Sequence, residues 1–136
     1  MATNITFNPG NHQSLPVPAG TKSGDPVRVG GLNGVAVTDR ANTSVSPFNT
    51  DGTPNAAYNA GGGNKNGYAS VWLEGAPMFD VKGASIAPGA PIYYDPAGTP
   101  KLTATAGSLT LYGHALTAGV TSATAGAESV VVRIAN

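Results

Sequence analysis

The chain has 136 residues with seven basic and seven acidic side chains, so its formal net charge is zero, and it contains no cysteine. Charged residues make up 10% of the sequence, against about 25% in typical soluble domains. Without a basic cluster the chain cannot neutralise a row of phosphates, so we expect no nucleic-acid partner. Without cysteine it forms neither disulfides nor thiolate metal sites.

The beginning of the chain shows neither the charged nor the apolar region of a signal peptide. No apolar run approaches the roughly 20 residues that span a membrane. We therefore expect a protein that is made in a cytoplasm and has no membrane partner. Its length suits one domain, and its low charge is also typical of surfaces that contact another protein.

Residues 1–14 are polar apart from the alternating pair Ile5 and Phe7, which a turn-forming stretch over residues 8–11 follows. This pattern predicts an extended N-terminal arm that lies outside the main sheet. The remainder, residues 15–136, is predicted to form a single β domain.

The same phrase occurs twice, as Gly24-Asp25-Pro26-Val27-Arg28-Val29 and as Gly89-Ala90-Pro91-Ile92-Tyr93-Tyr94. Each copy is a glycine, one residue, a proline and an alternating apolar pair. Glycine adopts positive φ at little cost and proline is tolerated at the first position of a strand, so each copy predicts a turn that leads into a strand. A duplicated strand-and-turn pattern favours a scaffold over an enzyme.

The first copy continues into a predicted hairpin. Val27 and Val29 share one face of a strand, and Val35 and Val37 share one face of the next. Between them, residues 32–34 read Leu-Asn-Gly, and Asn-Gly between alternating apolar runs is a strong hairpin signal. We place the turn at these three residues.

Residues 41–67 form a long stretch that is dominated by Asn, Thr, Ala and Gly and includes Gly61-Gly62-Gly63. A connection of this length without strands is uncommon in a compact domain and is usually functional or disordered. Two interpretations stay open here, a tolerated surface insertion and a binding loop.

Short alternating or apolar segments resume after Gly67 and run to the end of the chain, and no helical stripe of comparable quality accompanies them. The sequence therefore predicts an all-β domain of short antiparallel strands, arranged as a small sandwich or a partly open barrel. The β-tulip and β-clip arrangements are candidate forms of it. The segments are Val71–Leu73, Met78–Val81, Ile92–Tyr94, Leu109–Tyr112 and Val130–Ile134.

The chain shows no pattern that carries catalysis or cofactor binding. The glycines at 61–63 lack the Gly-Lys-Ser/Thr ending of a phosphate loop and the spacing of a dinucleotide fingerprint. His12 and His114 lie far apart in the sequence, the acidic residues occur singly, and no serine lies in a nucleophile elbow. We predict neither an enzyme nor a metal or cofactor site.

Trp72 is the most informative single side chain. If Val71 and Leu73 face the core, then Trp72 and Glu74 point outward. An outward tryptophan is a candidate anchor for a partner, because aromatic residues are enriched among binding hot spots. The alternative is that a second layer of the same subunit covers it.

The order of several motifs resembles a known family. The segments that carry the resemblance are Leu15–Gly20, Gly24–Val27, Gly34–Asp39, Val71–Gly75, Ile86–Asp95, Lys101–Thr103, Tyr112–Leu116 and Val130–Ile134. Together they are similar to small capsid cement, or head decoration, proteins of tailed bacteriophages, some of which have been catalogued misleadingly as predicted recombinases. The resemblance covers most of residues 15–135. The insertion at 41–67 departs from it, because the family usually has a brief turn there.

The resemblance implies a structural virion protein without catalytic residues. Such a protein would bind the outer surface of the expanded capsid and bridge subunits of the major capsid protein. It would be made in the cytoplasm of the bacterial host, and related proteins imply a homotrimer, with a dimer as the alternative. Our candidates for contact with the capsid or with other subunits are Ile5, Phe7, Leu15 and Trp72, and the arm is expected to add Ile5–Phe7 as a strand to a sheet of the coat protein.

The rival hypothesis is a surface-displayed carbohydrate-binding or host-adhesion module. Its binding site would use outward aromatic residues such as Trp72, Tyr93 or Tyr112 beside Asn and Asp side chains.

Overall fold

The computed structural model describes residues 10–136, so Ile5 and Phe7 lie outside the described part of the chain. Within this part the protein is all-β, as predicted, and its only helical segment is the 3-10 turn Gly61–Gly63. The strands are β1 (His12–Pro16), β2 (Pro26–Val29), β3 (Leu32–Ala36), β4 (Tyr68–Trp72), β5 (Met78–Lys82), β6 (Pro91–Tyr94), β7 (Leu102–Thr103), β8 (Thr110–Ala115), β9 (Val120–Thr121) and β10 (Ala127–Ile134).

The first sheet is antiparallel and has the strand order β1-β4-β3-β2. Its strand β1 corrects the predicted boundary of the arm, because His12 pairs with Trp72 and Ser14 with Ser70. Residues 12–14 therefore belong to the sheet and not to an arm outside it. The physical reason is the alternation of Leu15 with its polar neighbours, which lets this segment turn one face toward the smaller apolar core while its backbone pairs with β4.

The second sheet closes on itself. Its strands follow the order β5-β7-β6-β8-β10, and β10 also pairs with β5, which makes a ring of five strands. The pairing of β5 with β7 is parallel, while the other pairings in the ring are antiparallel. The strand β9 adds to β10 outside the ring. The predicted sandwich or partly open barrel is thus realised as one open sheet packed on one closed ring.

Each sheet has its own apolar core. Val35 is the one residue of the first sheet that belongs to the larger core, so it joins the two layers. The larger core fills the ring and consists of Val35, Phe79, Val81, Ile86, Ile92, Tyr94, Leu102, Tyr112, Ala115, Val130, Val132 and Ile134. The smaller core lies under the first sheet and consists of Val17, Val27, Ala36, Ala69 and Val71, with Leu15, Val29 and Leu73 packed beside it.

The two halves of the chain repeat one topology. When the two-residue strands β7 and β9 are left aside, strands β5-β10-β8-β6 stand in the same order as β1-β4-β3-β2, that is, first, fourth, third and second along each half. The Gly24 N–H donates to the Ala36 carbonyl at 2.7 Å, and the Gly89 N–H donates to the Ala115 carbonyl at 2.7 Å. Both alanines return a hydrogen bond of 2.9 Å to the residue after the glycine. The duplicated phrase of the sequence therefore marks a duplicated unit of structure.

Both copies of that phrase begin a strand at the proline, as predicted, with positive φ at Gly24 and Gly89. The predicted hairpin also forms, but its turn was misplaced. Val29 pairs with Leu32, so the turn lies at residues 30–31, where Gly30 has a φ of +59°. Residues 32–34 belong to strand β3 instead.

The halves differ by their insertions. The connection between β6 and β8 contains β7, whereas the corresponding connection between β2 and β3 is the two-residue turn at 30–31. Conversely, the first half carries the stretch 41–67, which contains the 3-10 turn and two isolated bridges, Asn42 with Asn59 and Phe48 with Pro54.

Candidate functional site

Trp72 lies at the end of β4 and is 52% exposed, while its neighbour Val71 is fully buried. The outward orientation predicted from the alternation is therefore confirmed, and no second layer from residues 10–136 covers the indole. The His12 ring meets it edge-on, with ring centroids 6.0 Å apart. These two rings occupy opposing positions on the face of the first sheet that also carries Val35.

A shallow apolar groove of about 390 Å³ runs beside Trp72. Its lining is mostly uncharged, with Glu74 as the acidic exception, and it brings together the ends of β3 and β4 and the segment that leads into β5. The lining residues include Val35, Val37, Trp72, Glu74, Ala76 and Pro77. An exposed indole at the rim of an apolar groove can bury substantial area against another protein.

Other large apolar side chains are exposed as well, and some are matched by the repeat. Val37 and Leu116 follow equivalent strands, since their N–H groups donate to the carbonyls of Ser70 and Val131 at 2.7 Å each. The complete set among the described residues is Leu32, Val37, Phe48, Trp72, Met78, Leu111, Leu116 and Val120. Isolated exposed apolar residues are normal on any surface, so the groove beside Trp72 remains the better candidate.

Leu15, another predicted contact residue, is partly buried on the inner face of β1, where it packs against the smaller core. Its position explains how β1 is held to the domain. Contact between Leu15 and another protein stays a prediction. Ile5 and Phe7, the remaining candidates, lie outside the described residues.

Tyr112, which the carbohydrate-binding hypothesis placed on the surface, is fully buried at the centre of the ring. That prediction was wrong because the ring closes around the face of β8 on which Tyr112 lies. Tyr93 is partly buried on β6, a strand of the other sheet from Trp72. The aromatic residues named for a glycan site thus do not form one outward-facing set.

Asp80, on strand β5 of the ring, is engaged in local structure. Three hydroxyl groups donate to Asp80, those of Ser122 at 2.8 Å, Thr124 at 2.9 Å and Ser129 at 3.1 Å. These hydrogen bonds stabilise the charged form and lower the pKa of Asp80. The arrangement ties residues 122–124 to β5. Across residues 10–136, no three histidine or acidic side chains gather as metal ligands would.

The triple glycine of the long loop has a structural explanation. Gly61, Gly62 and Gly63 all have positive φ. A β-carbon on Gly61 would lie 2.5 Å from the Cα of Ala41, and Asn64 then reaches back to Thr38 and Ser70. The sequence indicated that the cluster was not a phosphate loop, and the close packing against Ala41 shows why glycine stands there.

The outer edge of β1 is a feature that the sequence analysis missed, because residues 12–14 were assigned to the arm. A signal was present in the alternation of Gln13, Leu15 and Val17 with Ser14 and Pro16, which is the period of a strand.

In the described part of the molecule there is no helix that is long and apolar enough to cross a membrane.

The fold and this surface define an all-β protein that displays an aromatic anchor, an apolar groove and a strand edge. The family model for the phage cement protein matches residues 7–134. The chain therefore belongs to the phage cement protein family, which is structural and capsid-associated. Neither the search of curated proteins nor the search of solved structures gave a match.

Proposed function

We propose that this protein binds the outer surface of the expanded phage capsid and bridges neighbouring subunits of the major capsid protein, thereby stabilising the shell. Membership of the cement family, with a match over residues 7–134, is the observation that carries the proposal. The exposed Trp72 and its apolar groove support it, because they offer a contact surface on a chain with few charges. In this proposal the protein is made in the host cytoplasm and acts on the virion exterior.

The mechanism is stabilisation by mass action. A protein that binds the expanded lattice and not dissociated coat subunits lowers the free energy of that lattice by its binding free energy. Several contacts made by one oligomer raise retention far above that of a single contact. We propose an oligomer for this reason, and a homotrimer because related proteins imply one, with a dimer as the alternative.

The contact residues in this proposal are Trp72, Leu15 and the N-terminal pair Ile5 and Phe7. Trp72 acts as an anchor because its half-exposed indole gains burial when a coat subunit covers the groove. A glycan-binding role is not supported by a comparable surface, since Tyr112 is buried.

Co-sedimentation with empty expanded capsids, with unexpanded shells as the reference, tests the proposal. The unmodified protein should sediment only with expanded capsids and should raise their melting temperature. Trp72→Ala should weaken binding at least tenfold, because a buried hot-spot side chain contributes about 2 kcal/mol or more. Val120→Ala is the matched control, as Val120 is exposed on β9 of the other sheet, and it should bind as the unmodified protein does.

A truncation in the same assay tests the arm. It should remove residues 1–9 only, because His12–Pro16 forms β1 and a longer deletion would damage the first sheet. Weaker binding of the truncated protein would support Ile5 and Phe7 as contacts. Equal binding would exclude the arm as an anchor, and failure of the unmodified protein to bind expanded capsids would refute the proposed function.

A further inference from the structure

Strand β1 is an outer strand of the open sheet and pairs only with β4 among residues 10–136. The Leu73 N–H donates to the Asn11 carbonyl at 2.8 Å, and the Val17 N–H donates to the Gly67 carbonyl at 3.2 Å. In an antiparallel pair, hydrogen-bonded residues alternate with residues whose backbone groups point away from the partner strand. The odd-numbered residues of β1 therefore face β4, and the backbone of His12, Ser14 and Pro16 points outward.

This outward edge offers two N–H groups, from His12 and Ser14, and three carbonyls, since Pro16 has no N–H. No hydrogen bond from another described residue reaches these backbone groups. An unpaired edge of this kind is a template for a further strand. It also carries no charged side chain, and charge is a common means of protecting an edge.

In the second half of the repeat, the equivalent edge is covered by another strand. Strand β5 stands in the position of β1, and on its outer side it pairs with the parallel strand β7 through Val81–Leu102 and Lys82–Thr103. The Ala104 N–H donates to the outward carbonyl of Lys82 at 2.9 Å. The first half has no counterpart of β7, because its strands β2 and β3 are joined by two residues.

The side chains around this edge leave room for an added strand beside Trp72. His12 lies next to Trp72 on the same face of the first sheet, so a strand added to β1 would place side chains in the same row as the exposed indole. The Ser14 hydroxyl is held by Asn64 at 2.6 Å, which fixes its side chain to one side and leaves its backbone accessible.

We propose that an extended segment of the major capsid protein adds as a strand to the outer edge of β1, parallel to it as β7 is to β5. This inference rests on the proposed function and names the binding mode of that site. Two copies of β1 related by a two-fold axis would run antiparallel, and Pro16 of each would then face His12 of the other without an N–H to donate. A capsid strand is thus a better occupant than a second copy.

The test compares two variants of Ser14 that both lose the hydroxyl group and that differ in the outward N–H. Ser14→Pro deletes the Ser14 donor without touching the ladder to β4, and the strand already accepts a proline at the next outward position, Pro16. Ser14→Ala is the matched control, since it loses the same hydroxyl bond to Asn64 but keeps the N–H. We expect Ser14→Pro to bind expanded capsids at least tenfold more weakly than Ser14→Ala, with an unchanged oligomer mass.

Hydrogen exchange on the unmodified protein provides a second measurement that needs no variant. A peptide covering residues 11–17 should gain protection at His12 and Ser14 when capsids are added, because the odd-numbered amides are already bonded to β4. Protection of both amides in the free protein, equal capsid binding by the two variants, or a lower oligomer mass for Ser14→Pro would each overturn the inference while leaving the proposed function intact. Failure of the unmodified protein to bind capsids would refute both.

Discussion

At the scale of single residues, Tyr112 links the two halves of the repeat. Its hydroxyl donates to the Gly34 carbonyl of the first sheet at 2.6 Å. Its ring meets Phe79 edge-on and stacks on Tyr94, with centroids 5.9 and 6.2 Å away. Burial, and then the neighbouring Tyr94, raise the pKa of Tyr112 far above that of an exposed tyrosine. A phenol that cannot ionise in the folded state makes stability depend on alkaline pH.

The direction of this pH dependence follows from the number of protons that the folded and unfolded chains bind. Above pH 10 or so an unfolded chain loses the Tyr112 proton while the folded chain keeps it, so the free energy of unfolding falls as the pH rises. The fall approaches about 1.4 kcal/mol per pH unit for one such group. Tyr112→Phe removes this contribution. It also costs about 1–3 kcal/mol at neutral pH, because the Gly34 carbonyl loses its donor.

We therefore expect the stabilities of the unmodified protein and Tyr112→Phe to converge as the pH rises from about 9.5 to about 11.5, that is, through and above the pKa of a free tyrosine. Urea denaturation at a series of pH values measures this. Val132→Ala, at a buried residue of the ring that has no ionisable group, is the control and should keep a constant offset from the unmodified protein. Parallel curves for Tyr112→Phe would show that Tyr112 does ionise in the folded state.

At the scale of strands, local signals predicted the starts of elements well and their pairing less well. Both glycine–proline phrases begin strands because turn geometry and the φ of proline are local properties. The hairpin turn was misplaced because Asn33 is held by distant partners. Its amide group donates to the carbonyls of Leu111 and Ala135, and its N–H donates to Asn136. Such contacts keep Asn33 inside strand β3, and no local rule reveals them.

In the candidate site, too, features that depend on one strand were predictable and features that depend on strand pairing were not. The outward position of Trp72 followed from alternation within one strand. The burial of Tyr112 did not, because it depends on ring closure through the pairing of β5 with β10, about 50 residues apart along the chain. The edge of β1 was missed because its pairing partner, β4, lies beyond the 41–67 insertion.

The repeat also predicts an effect of substitution at equivalent glycines. Gly34 and Gly113 occupy matching positions in β3 and β8, where a β-carbon would collide with the carbonyls of Trp72 and Arg133 respectively. Gly113→Ala should therefore lower the free energy of unfolding by about 1–3 kcal/mol through overpacking. Gly31→Ala is the control, because Gly31 has open space around it. Chemical denaturation measures both, and equal losses would contradict the proposed close approach.

At the scale of the whole molecule, the open sheet and the closed ring are joined by buried contacts. Val35 of the first sheet belongs to the core of the ring. Asn33 and Asn136 bond reciprocally, since the Asn33 N–H donates to Asn136 at 2.7 Å and the Asn136 side chain returns a bond of 2.9 Å. Asn33 is buried, and its side-chain amide donates to the carbonyls of Leu111 and Ala135. Loss of the ring would leave this buried amide without those partners, which costs about 1–3 kcal/mol.

The two sheets should therefore unfold together, and the chain supplies a separate probe for each. Trp72 is the single tryptophan, so its fluorescence reports on the first sheet. The ring is followed by the near-ultraviolet circular dichroism that is lost in Tyr112→Phe, since Tyr112 lies in the core of the ring. We expect equal midpoints by both probes in urea, which is the test of a two-state transition. Asn33→Ala should move both midpoints down by the same amount, because the bonds it removes belong to the junction. Separate midpoints in the unmodified protein would contradict this prediction, because they would mean that the two sheets unfold as independent units.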